Sequence, residues 1–129
     1  MEFAIVLPLL VLILFGILDF ALLFYNKQVL TNASREGARA AIVVDNRTTP
    51  TTIDGDELTF LQDIIKNYCK DRLINLNGND DLVNAPVFSI NTGTGHITAT
   101  VTYDYDHLFS GITGFSSTTL TGRTVMRSE

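Results

Sequence analysis

The chain has 129 residues and a mass of 14.2 kDa, which allows one globular domain of ordinary size. Nine basic residues against 14 acidic ones leave a net charge of -5, so the chain lacks the positive surface that binds a nucleic-acid backbone. The single cysteine excludes an intramolecular disulfide framework and a zinc site built from several cysteines. We therefore expect no nucleic-acid partner and a fold held together by packing.

The first strong feature is an apolar run from Phe3 to Tyr25, interrupted by Pro8, Gly16 and Asp19. A helix of this length spans about 30 Å, the thickness of the hydrocarbon core of a bilayer. The run is too long for the apolar region of a signal peptide, and it lacks the preceding basic region. The sequence therefore predicts a helix that can cross a membrane and contact its lipid.

Two carboxylates distinguish this run from an ordinary membrane anchor. Glu2 stands at its start, and Asp19 lies about three-quarters of the way along it. Carboxylates at membrane depth are costly and usually face protein or a partner group. One interpretation places both at the lipid interfaces. The other places both in a protein interior, where Glu2 would bind its own helix start or the amino group of an adjacent subunit.

The helical pattern continues past the apolar run to about Val44, with polar residues on the other faces. Small residues in this second half permit close approach of the backbone to a sheet or to another helix. The candidates for such packing are Ala33, Gly37, Ala40 and Ala41. Pro8 and Gly16 are expected to mark kinks or locally unwound turns. We therefore predict one N-terminal membrane or filament-core helix over residues 1–44.

Residues 45–129 are predicted to form a small, outward-facing domain. A polar loop is followed by apolar residues at helical spacing, which predict an amphipathic helix from Asp54 or Asp56 to about Leu76. Cys69 lies on its apolar face, where a cysteine acts as a small hydrophobic residue, although pairing with a second chain is the alternative.

The rest of the domain alternates between apolar and polar residues, as strands do. A first run near Val87 and a second over 96–107 predict a β-hairpin, and 118–127 predicts a third strand. In the second run the residues that share one face are Ile97, Ala99, Val101, Tyr103 and Tyr105. The predicted fold class is α+β: a long N-terminal apolar helix, then one amphipathic helix on a three-stranded antiparallel sheet.

Candidate catalytic or metal-binding residues are few. Asp104, Asp106 and His107 lie together at a strand end, with His96 earlier on the strand, and such residues can ligate a metal ion. The aspartates also alternate with tyrosines, as the wet face of a strand requires, and we favour this structural interpretation. The acidic residues near 79–81 lack the spacing of a calcium-binding EF-hand loop. We therefore predict no enzymatic activity, no cofactor and no metal site.

The residues from Met1 to Val43 closely resemble the N-terminus of TadE-like proteins, the pilin and pseudopilin family of tight-adherence systems. The matching elements are the Glu2-Phe3 pair, Leu7-Pro8, Gly16 with Asp19-Phe20, and the run from Thr31 to Ala40 that contains NASREGARA. The ending LTGRTVMRSE resembles the final strand of the family. The resemblance implies a pilin-like fold.

The resemblance also implies processing by a prepilin peptidase, handling by an inner-membrane assembly platform, and a role in adhesive surface filaments. Glu2 would recruit and register each incoming subunit, and Phe3, Pro8, Gly16 and Asp19 are the other expected assembly residues. Basic residues follow the apolar run, so the positive-inside rule would place the domain in the cytoplasm. The conflict would be resolved if a basic leader were removed by proteolysis, as the resemblance to prepilins implies.

Three classes of function follow. The leading hypothesis is a structural pilin: membrane-embedded before assembly, then one of many copies in an extracellular type IV pilus-like filament. The second is a minor pseudopilin or a single-pass envelope assembly factor that remains anchored in the membrane. The third is a membrane-tethered hydrolase or metal-binding module, which requires a working cluster from Asp104 to His107.

Overall fold

The computed structural model of the chain describes residues 3–45, 53, 55–75, 82, 84–91, 95–107, 114 and 117–127. Two helices and three strands lie in these ranges: α1 (Phe3–Asp45), α2 (Asp56–Lys70), β1 (Val87–Asn91), β2 (His96–Asp106) and β3 (Ser117–Arg127). The strands form one antiparallel sheet in the order β1-β2-β3. The predicted α+β fold class is confirmed.

Helix α1 has 43 residues and continues through Pro8, so it extends about 65 Å. Its first half contacts little of the chain, whereas its second half lies over β2 and β3 and beside α2. The buried positions recur at spacings of three and four, as one helix face requires: Asn26, Val29, Leu30, Ala33, Ser34, Gly37, Ala38 and Ala41. One helix therefore both protrudes from the domain and forms much of its core.

The central strand β2 shows the predicted alternation. Its apolar positions 97, 99, 101, 103 and 105 are all buried, and the residues between them are partly exposed. Helix α1 crosses directly above Gly122 of β3, where an added Cβ atom would lie 2.4 Å from the backbone oxygen of Leu30. Only glycine permits this approach between helix and strand, because the obstructing atom belongs to the backbone.

Helix α2 completes the core with Leu61, Ile65 and Cys69. It ends at Lys70, earlier than the predicted end near Leu76, which lies outside the described residues. The Cys69 carbonyl accepts from the N–H groups of both Arg72 and Leu73 in a local turn, and beyond this turn the backbone of Ile74 bonds Asn26 of α1.

The predicted division into a membrane or filament-core helix (residues 1–44) and a small outward-facing domain (residues 45–129) stays a prediction. The contacts show a different property: the second half of α1 contributes Val29, Leu30 and Ala33 to the same hydrophobic cluster as β2, β3 and α2. The kinks predicted at Pro8 and Gly16 also stay a prediction, although both residues lie within the continuous helix.

Candidate functional site: an exposed apolar helix and its polar junction

The first half of α1 presents an apolar surface that nothing in the described chain covers. Every residue from Phe3 to Leu18 is exposed, with Phe3 at 87% and Val11 at 36% marking the range of the large apolar side chains. Phe20 and Phe24 extend this surface towards the domain and stack edge to face at 5.1 Å. Monomeric soluble proteins rarely expose apolar surface on this scale, so the segment requires lipid or protein around it.

This segment is also the one described helix that is long and apolar enough to cross a membrane. Of the predicted assembly residues, Phe3, Pro8 and Gly16 lie on it and are exposed, while Glu2 lies outside the described residues. Around Gly16 a shallow apolar groove is lined by Ile13, Ile17, Phe20, Ala21 and Phe24. An added Cβ atom at Gly16 would meet no heavy atom within 4 Å. The absence of a side chain at Gly16 therefore has no use within the described chain.

Asp19 marks the junction between the protruding helix and the sheet. Its Oδ1 accepts a 2.8 Å hydrogen bond from the Tyr105 hydroxyl, and its Oδ2 lies 2.8 Å from Nδ1 of His107. The other ring nitrogen, Nε2, lies 2.8 Å from the hydroxyl of Thr118. The side chains of Asp19 and His107 are 18% and 19% exposed. Both carboxylate oxygens of Asp19 are therefore bonded to the end of the sheet.

The hydrogen bonds of this junction satisfy each of its polar groups. A proton on Nδ1 of His107 donates to Asp19, and the hydroxyl of Thr118 can either donate to Nε2 or accept from it. Tyr105 and His107 also pack edge to face, with ring centroids 5.4 Å apart. Burial raises the pKa of Tyr105 above its ordinary value, and the hydrogen bond and negative charge of Asp19 raise it further. Tyr105 therefore stays a neutral donor to Asp19.

The geometry separates the residues of the candidate metal cluster. His107 faces α1, whereas Asp104 lies on the opposite face of the sheet and accepts a 2.6 Å hydrogen bond from the Thr119 hydroxyl. Asp106 shares the face of Asp104, and His96 lies at the far end of β2. No group of three possible metal ligands occurs among the described residues. The candidate calcium-binding residues 79–81 lie outside the described ranges.

The small residues of the second half of α1 face the interior of the domain. Ala33 and Ala41 are completely buried, and Ala40 is partly buried. At Gly37 an added Cβ atom would lie 2.4 Å from Cδ1 of Ile65. Nearby, the hydroxyl of Ser34 lies 2.6 Å from that of Thr124 on β3. Within a single chain these residues seat α1 on its own domain; their use between subunits stays a prediction.

Sequence reasoning missed Asn26. This side chain is fully buried, donates from Nδ2 to the Ile74 carbonyl at 2.7 Å and accepts from the Ile74 N–H at 2.9 Å. Asn26 thus bonds both the N–H and the carbonyl group of Ile74, which lies beyond the end of α2. The available signal was its position, three and four residues before the apolar Val29 and Leu30, which places an amide on the apolar helix face.

The comparisons with known proteins concern the N-terminal part of the chain. No curated protein and no solved structure matches the chain. A family model described as TadE-like protein matches residues 1–39, which include the whole exposed half of α1, the junction residue Asp19 and most of the buried half. The predicted resemblance of the N-terminal helix is therefore confirmed: residues 1–39 match the model of the TadE-like family.

Proposed function

We propose that this protein is a pilin, a structural subunit of an extracellular type IV pilus-like filament of the tight-adherence kind, and that the filament serves adhesion. The observation that carries the proposal is the exposure of every residue from Phe3 to Leu18 in a chain whose N-terminus is TadE-like. In the filament these helix halves pack together in the core, and the domains line the outside.

The energetics of assembly follow from the two environments of this helix half. Before assembly it lies in the cell membrane, where lipid covers its apolar side chains. Transfer from lipid to a bundle of like helices removes little apolar surface from water, so the gain comes from packing. A surface with a groove at Gly16 suits such packing, because a neighbouring side chain can fill the space that a glycine leaves.

The proposal includes the partners that deliver the subunit. An inner-membrane assembly platform would extract the helix from the bilayer, a prepilin peptidase would process the precursor, and further copies of the chain would receive it. Glu2 would register each incoming subunit through the amino group of its neighbour. The role of Asp19 in assembly stays a prediction; within its own chain its two oxygens bond Tyr105 and His107.

We propose further that the protein has no enzymatic activity. The support is the separation of His107 from Asp104 and Asp106 by the thickness of the sheet, together with the bonding of both His107 ring nitrogens. A hydrolase or metal-binding module built on these residues would need them on one face.

A second candidate function is a minor pseudopilin or an assembly factor that remains a single-pass membrane anchor. The favouring observation is again Asp19, because its bonds within the chain allow α1 to rest in a bilayer without a neighbouring subunit. The exposed residues 3–18 would then face lipid permanently.

Electron microscopy of material sheared from cells that make the protein with its assembly machinery separates the two candidates. The pilin hypothesis predicts filaments whose main band is this chain, with an N-terminus near Met1 by mass spectrometry. Protein that remains in the membrane fraction, without filaments, would favour the anchored candidate.

A substitution at the helix start sharpens this test. Glu2→Ala should abolish filaments and leave membrane insertion intact, whereas Glu2→Asp keeps the carboxylate and should retain part of the assembly. Normal filament yield with Glu2→Ala would contradict the assigned role of Glu2.

A further inference from the structure

The open face of the sheet carries opposite charges at its two ends. Residues that point away from α1 are the alternate positions of β2 from His96 to Asp106 and their cross-strand partners on β3. Asp104 and Asp106 lie at one end, beside Thr119 and Ser117, and Arg127 lies at the other, beside His96, with Arg123 two pairs further in. We call this surface the outer sheet face.

Between these ends the outer sheet face carries threonines together with two exposed valines, Val125 of β3 and Val87 of β1. Thr98, Thr100 and Thr102 of β2 are partly exposed, and Thr121 of β3 is exposed beside Thr102. The pair of Asp106 with Ser117 and the pair of His96 with Arg127 stand ten positions apart, which corresponds to about 33 Å along the strand. Asp106 and Arg127 are therefore too far apart to neutralise each other within one subunit, whereas Arg123 pairs with Thr100, four positions and about 13 Å along the strand from Asp104.

Arg123 and Arg127 have no ion-pair partner among the described residues. Both are exposed, as an arginine on a free surface would be. A second copy of the chain, displaced along the strand direction in the same orientation, would bring its acidic end to the basic end of the first. This head-to-tail contact differs from a two-fold homodimer, because each copy keeps one charged end available for a further copy. Such contacts can therefore continue along a filament.

The displacement coincides with the direction of α1. Successive contacts run the same way along helix and strand: Asp19 joins His107, which bonds Thr118; Leu30 crosses Gly122; and Ser34 bonds Thr124. The acidic end of the sheet therefore lies towards the exposed half of α1, and the basic end lies away from it. Copies whose α1 helices pack in parallel would present the basic end of one towards the acidic end of the next.

We infer that the two ends of the outer sheet face form a head-to-tail contact between copies of this chain, in which Asp104 and Asp106 of one copy meet Arg127 of the next and Arg123 adds positive charge behind it. The inference rests on the proposed function, because it supposes parallel α1 helices in a filament. It adds a contact outside the helical core. Exposed charge pairs are individually weak, but the contact repeats with every subunit, and opposite charges also oppose wrong registers by like-charge repulsion.

Charge reversal with rescue tests the contact in cells that carry the assembly machinery. Asp104→Arg with Asp106→Arg, or Arg123→Asp with Arg127→Asp, should each lower the yield of sheared filaments by about tenfold, because like charges would then meet. All four substitutions together restore opposite charges and should recover most of the yield. Asp63→Lys with Lys66→Asp, on the exposed face of α2, is the matched control and should leave the yield unchanged. Membrane levels and protease resistance of each unassembled variant report folding.

Disulfide capture provides a second measurement. Copies with Asp106→Cys and copies with Arg127→Cys, distinguished by size, should form mixed dimers on oxidation and few dimers of either kind alone. Cys69 contributes no background because it is 1% exposed.

The outcomes separate the two proposals. Wild-type filaments with unaffected reversal variants, absent rescue, or equal amounts of like and mixed dimers would overturn this contact and leave the proposed function intact. Failure of the wild-type chain to form filaments would overturn the proposed function and this contact with it.

Discussion

The two halves of α1 are parts of one continuous helix, yet they meet different surroundings. Residues 3–18 are exposed on every side, whereas from Asn26 onward one face is buried against the sheet and α2. The first half is uniformly apolar, and the second combines small residues with polar side chains that find partners in the domain. An apolar surface without a partner inside the chain requires one outside it, and a surface of fitted small and polar residues already has its partner.

The largest expected effect contrasts a glycine of the domain with one of the exposed helix half. Gly122→Ala should lower the free energy of unfolding by about 3 kcal/mol, because its Cβ atom would meet the Leu30 backbone oxygen at 2.4 Å and α1 would have to shift. Gly16→Ala meets open space and should leave domain stability unchanged. Denaturant unfolding of the full chain in detergent measures both. Equal effects would contradict the contrast between the halves.

Asn26 tests whether the buried half depends on specific polar contacts. Asn26→Ala removes both hydrogen bonds to Ile74 and should cost about 2 kcal/mol of stability, since the buried backbone groups of Ile74 lose their partner. Gln28→Ala, at an exposed position two residues further on, is the control and should change stability by less than about 0.5 kcal/mol. Thermal unfolding compares them. Indistinguishable variants would show that the Asn26 bonds do not stabilise the domain.

Asp19 tests the junction between the halves. Asp19→Leu leaves the Tyr105 hydroxyl and the His107 ring without their partner and should cost about 1 to 2 kcal/mol, whereas Asp19→Asn keeps an acceptor for Tyr105 and should cost less. Either substitution removes the negative charge, so the pKa of Tyr105 should fall towards its ordinary value while burial keeps it raised. Ultraviolet absorbance during an alkaline titration follows this pKa. An unchanged titration would contradict the assigned partner.

The smallest expected effect concerns Cys69 in the packed region. Burial raises the pKa of its thiol from 9.0 to about 11, and the nearby charge of Arg72 lowers it in part. The thiol should therefore react slowly with maleimide in the native protein and rapidly in denaturant, where it is exposed and ionises more readily. Rapid native labelling near neutral pH would contradict its burial.

The same shift makes stability depend on pH. Between pH 9.0 and about 11 the unfolded chain has lost the thiol proton and the folded chain retains it. The free energy of unfolding is therefore highest below pH 9.0 and falls as the pH rises through this window. The loss should be below about 1 kcal/mol at about pH 9.5. Comparison with Cys69→Ala, which removes this group, isolates the effect from that of Tyr105.

Several elements could be predicted because their patterns are local. The alternation of positions 97 to 105 identified the buried face of β2, and the apolar run identified the protruding helix, since each depends on residues a few positions apart. The candidate site was predictable only in part. Asp19 stood out as a carboxylate in an apolar run, but its partners lie 86 and 88 positions along the chain.

By itself the sequence determined the order and type of the elements, the apolar character of the first half of α1 and its TadE-like motifs. Only the tertiary structure decided that His107 turns towards Asp19 and away from Asp104, that Asn26 binds the backbone of Ile74 beyond the end of α2, and that Gly122 admits the backbone of α1. The physical reason is the range of the interactions. Periodicity records which face of an element is apolar, whereas a hydrogen bond or a close backbone approach requires two distant segments to meet at a particular distance and angle.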